Sequence, residues 1–538
     1  MRFALPALPP RLAGPALAIL HFCLGLVVTL DPASTHDEGL LMFGFSRALG
    51  EAFVPCFFFL KSKPALALFY APVAHLGLRA YLIAHLAVAS FAIALVHATA
   101  RSLGHARPWL PALVLALSPI YTWSATTGVS NSDGVAAIAL FLFLLEVRKS
   151  HFAAGLVLGL LPWVRYECAL FSAVLAPWAL ARTRSKAFAA GLLTWPVLYL
   201  GAGAVYHRDA LWPLHFRPNV SDLSSGNEVW LGEIARHGPK TAFFALAAVS
   251  PAVFLLSLVR PLKLRGSERA LGVFAAVFFG LFLAAHVAPR HLGPAFILGF
   301  SPRYAVAPAI AVALLASRAI EALEGANTKG IRDSIGAAAL LGLGVLFRAF
   351  TVVPLWGAAA TGALVAAARA GEKRIGVVVL LALLIGMPLS MRKDLLVELP
   401  VTDPTLEPMA AWIEANSSLI QGDIYTNQQL LGPYLEPRKT RSGARVRFML
   451  AVDHHFELVH LSNPANGQRA AVLDAIPRAV FGDVVLPEAL DPAKIAPKTV
   501  LILIDDARTK QILPRAVWGR RLRSIHEAGD FSVLVVTP

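Results

Sequence analysis

Ser34-Thr35-His36-Asp37-Glu38-Gly39 follows directly on the first long apolar run of the chain, Leu12 to Leu30. A run of this length crosses a bilayer core as a helix, which takes roughly 17–25 apolar residues. Two adjacent carboxylates and a histidine therefore stand where a membrane helix ends. No small-x-small cleavage pattern precedes the acidic cluster, so the run reads as a retained helix and not as a removed signal. The rest of the chain can be read as a way of holding this cluster at a membrane face and bringing a substrate to it.

The composition agrees with a membrane protein. Of 538 residues, 57% are hydrophobic and 15% charged, whereas a soluble globular domain carries about 25% charged residues. Mean hydropathy is +0.63. The formal net charge is +15, but its location argues against nucleic acid as a partner. From Arg392 to Pro538 there are 17 Lys/Arg and 17 Asp/Glu, so the whole excess lies in the first 391 residues. Basic residues confined to the loops of an apolar domain report topology. The three cysteines, Cys23, Cys56 and Cys168, form no CxxC and indicate neither a zinc site nor a disulfide framework.

After the first span comes a mixed stretch, residues 38–63, too interrupted to cross and read as amphipathic helices lying in the interface. Further spans are expected at about 80–101, 108–123, 132–147, 151–164, 167–181, 187–206, 240–259, 270–288, 303–320, 334–350, 354–369 and 375–391, roughly thirteen in all. With the N-terminus cytoplasmic, the inside loops include Glu146–Lys149, Ala181–Lys186, Arg260–Arg269 and Arg369–Arg374, short and dense in positive charge as the positive-inside rule requires. This alternation requires a break at Arg165-Tyr166-Glu167, since one merged helix over 151–181 inverts everything downstream. From about residue 392 the composition becomes that of a soluble domain, with strands expected at Ile424-Tyr425, Arg447–Leu450, Val500–Ile504 and Ser532–Val536. Helical patterns alternate with them at Leu406–Asn416, Gln428–Tyr434 and Ala507–Leu513. The expected architecture is a polytopic α-helical domain, 1–391, followed by an extracytoplasmic α/β domain, 392–538. The glycines of the second domain form no phosphate-binding loop.

Five groups of residues are candidates to carry chemistry. Asp37 and Glu38 lie at the outer face, where helix capping by Ser34, Thr35 and Asp37 is the alternative reading. Asp133, in Ser130-Asn131-Ser132-Asp133-Gly134, lies at the start of a span on the same expected face. Alone it reads as a helix cap, but two carboxylates on one face suit a general base and an acceptor or metal ligand. Lys61-Ser62-Lys63-Pro64 places lysines at headgroup depth, either as phosphate ligands or as snorkelling anchors. Arg165 and Glu167 sit in apolar sequence, where charges pair and face a cavity, or form a structural pair at a helix junction. Arg303-Tyr304 opens a late span and offers a guanidinium to a phosphate or to the interface. The outer loop from Tyr206 to Lys240 adds Trp212, Phe216 and Trp230, surfaces suited to a sugar or to an interfacial belt.

Four of these features, in this order and on one face, resemble the GT-C superfamily of integral-membrane glycosyltransferases that use polyprenyl-phosphate-linked sugars. They are His36-Asp37-Glu38-Gly39, Lys63-Pro64-Ala65-Leu66, Ser132-Asp133 and Arg303-Tyr304. Within the superfamily the resemblance is to the protein O-mannosyltransferase and lipid A aminoarabinose transferase group, and Ile424-Tyr425-Thr426-Asn427 in the α/β domain is similar too. The resemblance implies that Asp37 is the catalytic carboxylate, with Glu38 beside it. It implies that Asp133 is a second acidic group near the acceptor, and that Lys63, Arg303 and Arg165 contact the donor phosphate. His36, Glu167 and Tyr304 would then line the sugar and acceptor site. A divalent cation is left open, with Asp37 and Asp133 as its ligands. The expected partners are a polyprenyl-phosphate sugar donor, a lipid, glycan or protein acceptor and membrane lipids. The expected location is a bacterial inner membrane with the site outside. One departure is that the family's lysine is usually followed by two prolines, whereas Ala65 follows Pro64 here.

Two other classes are compatible with a polytopic chain, a lipid or polysaccharide transporter and a non-catalytic scaffold. Transporters usually carry inverted repeats with ionisable residues at the midplane. Here no repeat is visible and the ionisable residues gather at one face.

Overall fold

The computed structural model of the protein describes residues 12–30, 35, 37–51, 53–59, 62–116, 118–165, 167–215, 264, 266–287, 306–324, 405–420, 422–426, 428, 431–435, 446–449, 483–485, 499–504, 522–528 and 531–536. They divide into two compact units. The first draws on Met1–Val28, His85–Tyr199 and Val220–Pro400, and the second on Thr29–Ala84, Leu200–Asn219 and Val401–Pro538. The stretch after the first span is thus packed in the same unit as the C-terminal segment.

The chain is a multi-pass, mainly helical membrane protein. Its first helices are α1 (Ala13–Thr29), α2 (Asp37–Glu51), α3 (Phe53–Phe57), α4 (Pro64–Ala74), α5 (Leu78–Ser102) and α6 (Trp109–Ala116). They continue with α7 (Pro119–Thr127), α8 (Asn131–Glu146), α9 (His151–Val164), α10 (Cys168–Thr183), α11 (Lys186–His207) and α12 (Trp212–His215). Two of them, α5 and α11, are long and apolar enough to cross a membrane singly, and α7 with α8 forms a third candidate, bent by 113° at its break. Helices α1, α4, α9 and α10 are apolar but shorter. The helix break expected at Arg165–Glu167 is present, between Val164 and Cys168. The spans expected at 240–259, 334–350, 354–369 and 375–391 lie outside the described residues.

In lipid, helices gain little by hiding apolar surface from one another, so close packing decides which pairs form. Gly155 and Gly159 on α9 show how. A Cβ on Gly155 would lie 2.2 Å from the Phe188 carbonyl oxygen, and one on Gly159 would lie 2.2 Å from that of Leu192, both on α11. This small-xxx-small pair lets α9 and α11 meet backbone to backbone, and Gly191 on α11 answers it against Phe152. Helix α8 packs on α9, α9 on α10, and α10 on the helix Gly266–Val287, which in turn packs on Ala309–Glu324. The core of this unit is aromatic and aliphatic, with Tyr121, Trp123, Phe141, Phe171, Phe188 and Phe274 fully buried.

In the second unit α2 lies against α4 and α3. Its buried side chains include Phe43, Phe45, Leu49, Cys56, Phe59, Leu66 and Tyr70, joined by Tyr81 at the start of α5. The same unit holds a six-stranded sheet of β1 (Ile424–Thr426), β2 (Val446–Met449), β3 (Asp483–Val485), β4 (Val500–Ile504), β5 (Leu522–Ala528) and β6 (Phe531–Val536). The strand order is β3-β2-β1-β4-β6-β5. The first four are mutually parallel and the last two form an antiparallel edge on β4. All four strands expected from the sequence coincide with β1, β2, β4 and β6. Strands β3 and β5 were not foreseen, because Asp483-Val484-Val485 is too short to signal itself and β5 is rich in charged residues.

Candidate functional site

In the second unit, Asp37 is the first residue of α2 and Glu38 the second. Glu38 is ion-paired through Oε1 with Nζ of Lys63, and each side chain is only 11% exposed. Lys63 stands immediately before α4, with φ 50° and ψ 67° in the left-handed region. For a residue with a Cβ this costs about 1–2 kcal/mol, and the following proline restricts it further. The geometry is held from both sides. The Ser62 hydroxyl donates to the carbonyls of Cys56 (2.7 Å) and Phe59 (2.6 Å). The Lys63 carbonyl accepts from the N–H groups of Leu66 and Ala67. Pro64 at the first helical position suits a helix start, where no N–H is needed.

In the first unit the polar cluster forms where α7 ends and α8 begins. Gly128, at φ 77°, closes α7 in the left-handed conformation that glycine adopts freely. The break leaves backbone groups without helical partners, which within a membrane must be satisfied by protein. Side chains do this. Ser124 Oγ donates to the Val129 carbonyl (2.7 Å) and accepts from the N–H of Ser132 (3.0 Å). Ser130, Asn131, Ser132 and Asp133 are all buried. The sequence reading placed them at an outer helix end. They form a buried bend because α7 and α8 turn back on each other there.

Arg165 and Glu167 join this bend. Arg165 is extended, at φ −153° and ψ 138°, between α9 and α10. Its Nε donates to Glu167 Oε1 (2.6 Å) and its Nη1 to Ser130 Oγ (2.6 Å). Asn131 Nδ2 donates to the same Glu167 oxygen (2.9 Å). Gly134 gives Arg165 room, since a Cβ there would lie 3.3 Å from Arg165 Cγ and 2.9 Å from Cys168 Sγ. Asn131 Oδ1 and Glu167 Oε2 are buried acceptors that no described donor reaches.

His85, on α5, was not singled out from the sequence. Its Nδ1 lies 3.1 Å from the Ala125 carbonyl oxygen, and its Nε2 lies 3.0 Å from Asp133 Oδ2 and 3.3 Å from Ser132 Oγ. A carbonyl only accepts, so Nδ1 carries the proton and Nε2 faces Asp133. One turn along α5, the Ala89 carbonyl accepts from Tyr121 of α7 (2.6 Å). Two tethers four residues apart thus fix α7 against α5. The one available signal for His85 was a polar, ionisable side chain within an expected span.

Asp133, Arg165 and Glu167 are brought together around one bend, and Glu38 is brought to Lys63. His36, Tyr166, Arg303 and Tyr304 lie outside the described residues, as does the side chain of Asp37. Among the described residues no group of three or more His, Cys, Asp or Glu is arranged to hold a metal ion.

Two crystal structures share the fold of the chain. ArnT from Cupriavidus metallidurans bound to undecaprenyl phosphate matches 97% of this chain and 98% of its own, with TM-score 0.54 and 13% identity. The apo state of the same protein matches with TM-score 0.52 and 14% identity over the same shares. No protein-family model and no curated protein sequence matches the chain.

Proposed function

We propose that the chain is an inverting glycosyltransferase of the GT-C kind. It would move a sugar from a polyprenyl-phosphate donor to an acceptor on the extracytoplasmic side of a bacterial inner membrane. The observation that carries this reading is a full-length fold shared with ArnT, a protein crystallised with undecaprenyl phosphate. Of the ionisable residues expected from the sequence, those described support it: Glu38 pairs with Lys63, and Asp133, Arg165 and Glu167 are buried at one helix break. A carboxylate held in this way at a helix break is placed for chemistry at some cost in stability.

In this reading Asp37 takes the proton from the acceptor as the acceptor attacks the sugar's anomeric carbon, and the polyprenyl phosphate departs. Cations must hold the charge that grows on the leaving phosphate, which is the role of Lys63 and Arg303. Arg165, held by Glu167 and Ser130, braces the bend that carries Asp133. Glu167 Oε2 and Asn131 Oδ1 are open acceptors of the kind that sugar or acceptor hydroxyls satisfy. The lipid tail of the donor explains why the enzyme is embedded in a membrane. The interfacial helices at 38–63 and an outward C-terminal domain belong to the same reading.

The test is transfer by the purified full-length protein, using a panel of polyprenyl-phosphate sugars with lipid, glycan and peptide acceptors. Asp37→Asn should lower transfer at least ~100-fold while the protein still inserts and folds. Undiminished transfer by that variant sinks the assignment of Asp37. Flipping of a labelled lipid without any transfer identifies a transporter instead.

A further inference from the structure

We propose that Asn131 and Glu167 form a subsite that reads hydroxyl groups. Asn131 Oδ1 and Glu167 Oε2 accept from two hydroxyls of one sugar ring, and Arg165 is the positioning residue that holds them. This rests on the reading of the chain as a glycosyltransferase and sharpens it, since it takes Arg165 away from the donor phosphate.

The hydrogen bonds fix which atoms are left over. Glu167 Oε1 already receives Arg165 Nε (2.6 Å) and Asn131 Nδ2 (2.9 Å). A carboxylate oxygen accepts, so the Asn131 amide turns its nitrogen to Glu167 and its oxygen away. The remaining oxygens, Asn131 Oδ1 and Glu167 Oε2, meet no donor among the described residues. Asn131 is only 2% exposed and Glu167 4%, so bulk water does not serve them either. Buried acceptors are seldom left unmet, and those that are require a partner. Bond lengths and the 2.9 Å contact keep the two oxygens less than about 8 Å apart. Two hydroxyls of a single ring can therefore reach both.

The polarity of the pair decides the chemistry. Two acceptors take hydroxyl hydrogens and offer nothing to an ether, a carbonyl or a phosphate oxygen. A phosphate would also meet the open carboxylate oxygen as a like charge. Arg165 does not reverse this, because its Nε and Nη1 are given to Glu167 and Ser130. A buried site built to bond a hydroxyl rejects the analogue that lacks it, because its own polar groups are then left unpaired. The ring belongs either to the donor sugar or to a hydroxyl-bearing acceptor, and the two are separated by experiment.

The experiment uses the purified full-length protein in detergent. Undecaprenyl-phosphate-linked hexoses and pentoses, and analogues lacking one ring hydroxyl, are measured for binding and transfer, with undecaprenyl phosphate as the sugar-free control. In the wild type, loss of a hydroxyl that meets the subsite should cost about tenfold or more in affinity. In Glu167→Gln the amide oxygen stays with Arg165 and Asn131, so an NH2 group takes the open position. This variant should abolish the hydroxyl penalty, weaken the intact sugar lipid about tenfold and leave undecaprenyl phosphate unchanged. Asn131→Ala removes the other acceptor, should act in the same direction, and serves if the glutamine variant melts early. Where the ring is the acceptor's, donor binding stays at wild type and the acceptor KM rises about tenfold instead. Unchanged hydroxyl penalties and unchanged acceptor KM in both variants overturn the subsite and leave an internal water in its place. Equal losses for sugar lipid and undecaprenyl phosphate overturn it as well, since the bend then holds phosphate. A wild type that transfers no sugar overturns the glycosyltransferase reading and the subsite with it, whereas normal transfer with unaffected variants overturns the subsite alone.

Discussion

At the Asn131 end of α8, Arg165 is divided between Glu167 and Ser130, His85 faces Asp133, and two buried acceptors, Asn131 Oδ1 and Glu167 Oε2, have no described donor. At the Glu146 end, Glu146 is held by Arg182, Ser267 and Lys149. Beside it Glu268 receives His105 (2.9 Å) and Arg318 (2.7 Å), and Arg318 also reaches Glu321 (2.9 Å). Both ends bury charge, and they lie about 24 Å apart along a 16-residue helix. They differ in closure. At the Glu146 end both oxygens of that carboxylate are answered by Arg182, and the cluster ties α8, α10 and the helices Gly266–Val287 and Ala309–Glu324 together. A closed cluster fastens helices, whereas open acceptors are what a substrate with hydroxyl groups requires.

The sharpest way to break the comparison is to neutralise one carboxylate at each end. Asp133→Asn should lower sugar transfer by about 10²-fold or more. Glu146→Gln should keep wild-type turnover and lower only the melting temperature. Equal losses of turnover from the two variants would show that the ends do not differ in function. Removing the arginines tests stability. Arg165→Met strands a buried carboxylate and should cost about 3–5 kcal/mol, read as the unfolding midpoint in detergent. Arg182→Met should cost less, because the Arg182 side chain is 37% exposed and water can replace it.

A smaller effect concerns His85. His85→Leu removes the group facing Asp133 and should lower turnover about tenfold with little change in donor KM. His85→Gln retains an N–H donor and should recover part of that loss. Identical kinetics for the two variants would make His85 a packing residue only. The smallest effect is on pH. Glu268 lies in the polar first turn of its helix, ahead of the apolar run. Burial pushes its carboxyl up, but hydrogen bonds from His105 and Arg318 and the Arg318 charge outweigh this and hold it below the usual carboxylate value. A depressed folded-state value stabilises the protein above the unfolded value, about 4.3, and that gain is lost as pH falls through the folded one. Thermal stability should therefore fall below about pH 4, and less steeply in Glu268→Gln.

The first unit was legible in part. Asp133, Arg165 and Glu167 announce themselves because ionisable groups in apolar sequence need partners, and the helix break at residues 165–167 follows from the alternation of charged loops. Their mutual geometry was not legible. Ser130 and Asn131 drew no reading beyond flanking Asp133, and nothing in a local pattern shows that Arg165 reaches back to Ser130 or that Asn131 shares a Glu167 oxygen. His85 stayed hidden because one histidine in a long apolar helix has no periodic signature. In the second unit Glu38 and Lys63 were each noticed, yet their pairing depends on α2 lying against α4.

What the sequence determined by itself is the class of molecule. Apolar run length, charge deficit and the placement of basic loops are sums over neighbouring residues, so they mark a polytopic membrane chain with ionisable groups near helix ends without reference to any contact. What only the tertiary structure decided is which groups meet. The 113° bend between α7 and α8 turns a capping sequence into a buried polar cluster. The glycine-lined contact of α9 with α11 sets how closely those two helices approach. The physical reason is that pairing depends on the register and tilt of helices distant in the chain. Close packing settles both, because in lipid no gain from burying apolar surface does so.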